Sequence, residues 1–158
     1  MKGDAKVIEY LNAALKNELT AINQYFLHSK MLDNWGVSKL AKFEYEESID
    51  EMKHADKLAE RILFLDGLPN FQLLGRIKIG ESVEEILKAD LELEQEALPP
   101  LRDGIEYCEK IRDYVTRELL AEILESEEDH IDTLEKQFDM IERMGIENYI
   151  QLQSESAE

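Results

Sequence analysis

Glu18, Glu51 and His54 reappear 76 positions later as Glu94, Glu127 and His130, so that each set carries its second glutamate 33 residues after its first. The pairs Glu51-x-x-His54 and Glu127-x-x-His130 each set a carboxylate and an imidazole on one helix face, because residues three apart are neighbours there. Packing positions obey the same offset: Val7 with Val83, Leu11 with Leu87, Leu15 with Leu91, Leu58 with Leu134, and Leu65 with Ile141. A chain that repeats its apolar positions and its chemistry in one register reads as two similar helical hairpins. The point midway between Glu18 and Glu51 falls at Asn34-Trp35, and that between Glu94 and Glu127 at Lys110-Ile111, just before Asp113. Antiparallel packing about those turns brings each pair of glutamates to one height.

The helices follow from apolar spacing. Ile8, Leu11, Leu15, Ile22 and Tyr25 recur at threes, fours and a seven, and Glu18 fills the skipped place. Beyond Gly36, Leu40, Leu58, Ile62 and Leu65 mark a second helix whose stripe turns polar at its middle, at Glu44, Glu47, Glu51 and His54. A third begins at Ser82 with Glu85 as a capping box, presents Val83, Leu87, Leu91, Leu98 and Leu101, and carries Glu94 in the same row. A fourth presents Leu120, Ile123, Leu134 and Ile141, with Glu127 and His130 between them. The spacing predicts helices over about 4–34, 37–66, 82–111 and 113–144, with a short fifth over 146–152. Pro99-Pro100 falls inside the third, where two missing donors predict a bend without a break.

Between the second and third helices, GLPNFQLLGRIKIGE is apolar for a loop. A helix of about 26 residues is roughly 39 Å long and about 15 extended residues span roughly 50 Å, so this segment can run the full length of the bundle. The predicted fold is all-α: one domain over 1–158, a four-helix bundle, up-down-down-up, with one long crossover and a short C-terminal helix.

Composition narrows the function. A formal charge of -18 without a basic patch excludes nucleic acid as a natural partner and favours cations. No apolar run is long enough to cross a bilayer and the amino terminus lacks a signal peptide's apolar stretch, so the expectation is a cytoplasmic protein without a membrane partner. The single cysteine, Cys108, cannot build a Cys-rich zinc site and reads as packing. Four carboxylates and two imidazoles converging in a helical interior need neutralising, and two divalent cations do that. Oxygen-rich ligation with two imidazoles suits iron or manganese better than a closed zinc site.

The sequence resembles the bacterioferritin family, haem-containing relatives of ferritin, over essentially its whole length. The resemblance lies in MKGD at the start, NEL and AINQYFLH around Glu18, ESIDEMKHADK around Glu51, RILFL and GLPN, DYV and REL, and ILESEEDHID around Glu127. A Glu from each of two helices plus Glu-x-x-His from each of the others is the pattern of di-iron carboxylate bundles. The resemblance implies a ferritin-like shell of 24 subunits built from two-fold dimers, for iron storage and detoxification. It would oxidise Fe(II) with dioxygen or hydrogen peroxide at a ferroxidase centre holding two iron ions per subunit, and deposit ferric mineral inside. It further implies that Glu51 and Glu127 bridge the irons, that Glu18 and His54 complete one, and that Glu94 and His130 complete the other.

Met52, one residue past Glu51 and turned about 100° from the metal face, reads by itself as an interface or surface residue. By resemblance it and its two-fold mate hold haem b, with a small ferredoxin supplying electrons for iron release. Tyr25 reads as a core tyrosine, or by resemblance as a redox-active tyrosine beside the irons. Glu47 and Asp50 form a solvated acidic face or guide cations inward; Glu46 stands where some relatives carry a histidine. His28, without a glutamate at helical spacing, reads as a surface or interface residue, and Trp35 as packing at the hairpin turn. Two rival readings share much of this pattern. One is a non-storage di-iron peroxidase of the rubrerythrin type, against which the single cysteine counts; the other is a non-catalytic helical bundle, against which the placement of acids within apolar stripes counts.

Overall fold

A computed structural model describes residues 1–157, in which the chain forms α1 (Ala5–Asn34), α2 (Ser38–Phe64), α3 (Val83–Ile111), α4 (Tyr114–Met144) and α5 (Ile146–Gln153), with no strand among the described residues. Each long helix but α2 starts on a side-chain cap. Asp4 accepts from the N–H groups of Lys6 and Val7 at 2.8 and 3.1 Å, and Asp113 from that of Thr116 at 3.1 Å. Ser82 accepts from the N–H of Glu85 at 3.2 Å, while Glu85 reaches back to the N–H of Glu81 at 2.9 Å, one residue beyond the cap N–H of a reciprocal box.

The duplication extends into the backbone of the turns. Val37 N–H bonds the Leu32 carbonyl at 2.9 Å, and 76 residues on Asp113 N–H bonds that of Cys108 at 2.9 Å. Gly36 N–H bonds Asp33 and Arg112 N–H bonds Glu109, at 3.0 and 3.2 Å. Both hairpins thus close on one helix-ending motif, whose pivot residue must be left-handed. Gly36 takes φ 82 freely, whereas Arg112 takes φ 69 with a side chain.

The crossover is fastened along α1 by a polar ladder. Asn12 Oδ1 accepts from Asn70 N–H at 2.8 Å, Thr20 Oγ1 from Gly75 N–H at 2.8 Å, Gln24 Oε1 from Lys78 N–H at 3.0 Å, and His28 Nε2 from Gly80 N–H at 3.0 Å. These four residues sit eight, four and four apart, one stripe of α1. The strap therefore runs in the direction of α1, returns the chain to the end where α2 began, and makes α3 parallel to α2. His28 departs from the sequence reading here: it is fully buried, because the crossover covers it.

Two apolar clusters fill the bundle at different levels. One joins Leu11, Leu15, Leu58, Ile62, Leu101 and Ile123; the other joins Leu32, Leu40, Leu87, Leu134, Ile141 and Tyr149. The polar positions of the four stripes lie between them. Pro99 and Pro100 leave α3 a single helix: the carbonyls they free belong to Gln95 and Glu96, which are exposed and open to water. Cys108 is buried, and burial pushes its thiol up to about 11, which leaves it unreactive. Trp35 ends α1 at the hairpin turn with two-fifths of its surface exposed, so it packs there only in part.

The left-handed pivot supplies a stability test. A left-handed residue with a side chain costs about 1–2 kcal/mol, and Arg112 is exposed. Arg112→Gly is therefore expected to stabilise the protein by roughly 1 kcal/mol, net of the larger backbone entropy that glycine has when unfolded. A denaturant titration reads this as a raised midpoint, and a lowered midpoint would contradict it.

Candidate metal centre

Glu18 on α1, Glu51 and His54 on α2, Glu94 on α3, and Glu127 and His130 on α4 meet at one level, and all six are buried. Their ligand-bearing atoms form two groups, Glu18, Glu51, His54 and Glu127, and Glu51, Glu94, Glu127 and His130, each within 4.8 Å of one another. Glu51 and Glu127 belong to both. His54 Nδ1 stands 3.5 Å from Glu18 and 3.7 Å from Glu127; His130 Nδ1 stands 3.1 Å from Glu51, 3.5 Å from Glu94 and 3.7 Å from Glu127.

These approaches are close without being hydrogen bonds. One oxygen each of Glu18, Glu51, Glu94 and Glu127, and Nδ1 of both histidines, has no hydrogen-bond partner although each is buried. Orphaned buried polar atoms cost about 1–3 kcal/mol apiece, more when charged. Six of them pointing at one another fit a pair of cations that would take a lone pair from each.

The same crowding dictates protonation. Burial first, then the neighbouring Glu127, holds the Glu18 carboxyl well above its usual range, and burial with Glu18 and Glu127 does the same to Glu51. Burial by itself would lower His130, but the carboxylates of Glu127, Glu47 and Glu51 around the ring outweigh it and raise the imidazole well above its ordinary value.

Tyr25 is fully buried and donates its phenol proton to Glu94 Oε1 at 2.6 Å, and burial raises its pKa. Glu47 Oε2 lies 2.8 Å from His130 Nε2, and Asp50, less buried than either, groups with both. Met52 faces outward, half exposed, on a surface that also carries Phe26, Tyr45 and Ile49. It takes no part in the polar cluster.

A second polar cluster has no counterpart in the sequence reading. Asp90 Oδ1 accepts from Gln24 Nε2 and His28 Nδ1, each at 2.9 Å, and Glu44, wholly buried, adjoins Asp90 with no hydrogen bond to either oxygen. Burial, then Asp90, raises the Glu44 carboxyl, so a proton on Glu44 relieves the repulsion between the two acids. Both nitrogens of His28 are engaged: a backbone N–H pointing at Nε2 forces the ring proton onto Nδ1, which makes this residue a donor to Asp90 and leaves it no lone pair for a metal. One signal was available: at the 76-residue offset Gln24, His28, Glu44 and Asp90 correspond to Pro100, Gly104, Leu120 and Ala14. Polar residues that the repeat does not require are there for something outside it, in this case the crossover.

Raised carboxyls fix the sign of a pH effect. The folded state keeps protons on Glu18 and Glu51 that the unfolded chain releases around its value of 4.5, so stability falls as pH rises from there. The raised imidazole of His130 acts likewise: its contribution is complete below the ordinary 6.5 and is lost as pH climbs toward the folded value. Each such group steepens the fall by about 1.4 kcal/mol per pH unit. Thermal unfolding of the metal-free protein between about pH 5 and 8 should show this decline, and Glu18→Gln with Glu51→Gln should flatten it. An equal slope in the double variant would locate the cause elsewhere.

The profile of the ferritin-like domain family matches residues 8–144. A bacterioferritin of Brucella melitensis is 49% identical over 158 residues, the whole of this chain and 98% of the relative. One from Streptomyces coelicolor is 51% identical over 95% of this chain and 90% of its own length, and one from Rhodobacter capsulatus 48% identical over 94% and 92%. With four helices, one long crossover and the buried carboxylate–imidazole set, this chain belongs to the ferritin-like family, on its bacterioferritin branch.

Proposed function

We propose that this protein stores iron, and that it is a ferroxidase which oxidises Fe(II) to Fe(III) within each subunit and passes it to a mineral held in a 24-subunit shell. The observation that carries this reading is the pair of overlapping ligand groups sharing Glu51 and Glu127, with an unpartnered atom on each of the six side chains. Fe(II) is the substrate. Glu18 and His54 serve one position, Glu94 and His130 the other, and Glu51 and Glu127 both. Uptake of two dications lets the carboxyls give up the protons that burial had kept on them, so binding releases protons. Dioxygen or hydrogen peroxide takes the electrons.

Around that core, Tyr25 would give an electron while its proton passes to Glu94, a role its hydrogen bond to that carboxylate supports, and Glu47 and Asp50, grouped with His130, would lead cations between the centre and the surface. Met52, with its two-fold mate, would hold haem b, which when bound supplies electron transfer for iron release from a small ferredoxin. Exposed Phe26, Tyr45 and Ile49 beside it provide the apolar contact that such a dimer needs. Uncovered Phe71, Leu73 and Leu74 on the crossover give a further surface for assembly. The reading places the protein in the cytoplasm; no helix among the described residues is long and apolar enough to cross a membrane.

Rapid mixing with two equivalents of Fe(II) tests the reaction. Glu127→Ala with His130→Ala should slow the fast phase by on the order of 100-fold, since even partners of ligands commonly matter by 10–100-fold; unchanged kinetics would refute the ferroxidase assignment. Met52→Leu should purify without haem, and a full complement would remove that residue's role. Gel filtration should give a particle of roughly 440 kDa, 24 copies of the 18.4 kDa chain. Elution as a single subunit or a dimer would favour a non-storage di-iron peroxidase.

A further inference from the structure

We infer that the two halves of the centre are held unequally: Glu47 is a positioning residue for His130, nothing performs that service for His54, and the metal position of Glu18 and His54 is therefore the weaker one. This deepens the two-metal reading above and rests on it.

A metal-binding imidazole is ordinarily fixed through its other nitrogen, because a partner there sets both the tautomer and the ring orientation. His130 has such a partner. Glu47 Oε2 lies 2.8 Å from its Nε2 in ion-pair contact, without the alignment of a hydrogen bond, and Ser126 Oγ lies 3.4 Å from the same atom, while Nδ1 faces Glu51, Glu94 and Glu127. His54 presents Nδ1 to Glu18, Glu51 and Glu127 in the same manner. No hydrogen-bonding or ion-pair partner among the described residues meets its Nε2.

The repeat explains why. At the 76-residue offset the residue corresponding to Glu47 is Ile123, and the one corresponding to Ser126 is Asp50. Ile123 is fully buried in the apolar cluster with Ala55 and Leu58 and has no polar atom to offer. Asp50 stands one turn before His54, yet it groups with Glu47 and His130. Glu47 thus stands within ion-pair reach of His130 alone, and Asp50 groups with that pair. His54 lines a cleft of about 470 Å3 with Asp50, Lys53, Lys57, Glu122 and Ser126, which gives its ring room to turn away from the centre.

Loss of an outer partner commonly costs 10- to 100-fold in metal affinity, which sets the size of the inequality. Co(II), which keeps its oxidation state during a titration, is added to the metal-free assembled protein and followed by its visible absorption. Two ions per subunit should bind in steps about 10- to 100-fold apart. His54→Ala should abolish the weaker step and His130→Ala the tighter one. Glu47→Ile, which gives the first hairpin the residue already present in the second, should weaken the tight step until the two merge. Glu47→Gln should restore part of the separation, because its amide oxygen offers Nε2 a polar partner of the same size without the charge. Binding at a single affinity, steps that stay apart in Glu47→Ile, or loss of the tight step in His54→Ala would each overturn the inference. Failure of the unaltered protein to take up two Co(II) ions would instead overturn the two-metal reading, and this inference with it.

Discussion

Four carboxylates sealed at one level of a helical bundle set the terms for the rest of this molecule. Water does not reach them in quantity, so their charge has to be met by protons or by cations. With protons, the centre is a strained arrangement whose unpartnered atoms oppose folding; with dications, the same atoms become ligands. Such a site survives empty only if the helices bearing it are pinned elsewhere. Leucine-rich clusters above and below do this, one gathering Leu11, Leu58 and Ile62, the other Leu40, Leu87 and Leu134. Packing at the two ends holds the polar middle open for exchange of protons against metal.

The crossover makes this pinning compatible with the connectivity. To bring α3 in parallel to α2, the chain must travel the length of the bundle as extended backbone, whose amide groups need partners. Asn12, Thr20, Gln24 and His28 supply them at the register of one helical stripe. The last two also donate to Asp90 on α3, so strap, first helix and third helix are tied at a single buried point. On α1, Gln24 and His28 flank Tyr25, which itself bonds Glu94. The support of the strap and the surroundings of the candidate metal centre are therefore continuous.

Most of the centre was legible because it obeys local rules. Helical spacing placed Glu18, Glu94 and the two Glu-x-x-His pairs within apolar stripes, and midpoints of the repeat located the turns that bring them level. Residues whose surroundings come from distant chain were not legible in this way. His28 was read as a surface or interface residue for want of a glutamate at helical spacing, and the path of residues 70–80 buries it. Glu44 looked like one more acid in a polar run; its burial against Asp90 depends on how α2 faces α3. The strong resemblance to bacterioferritins carried roles for Met52 and Tyr25 that spacing could not have assigned.

The departures from the repeat are as informative as the repeat itself. Duplicated hairpins would by themselves give equivalent halves, down to the turn where Gly36 and Arg112 share a left-handed backbone. Equivalence fails wherever the surroundings of the two halves differ. Only the first hairpin carries the strap, and only there do Gln24 and His28 replace what the second half fills with Pro100 and Gly104. In the second hairpin the Glu47 position is Ile123, which belongs to an apolar cluster that a carboxylate would break. A twofold-repeated scaffold thus supplies the symmetric requirement, paired ligands at one height, while the single-copy elements around it make the halves chemically distinct. In a site that takes up metal and lets it go, as proposed, that difference would give the two positions separate affinities without altering a single ligand.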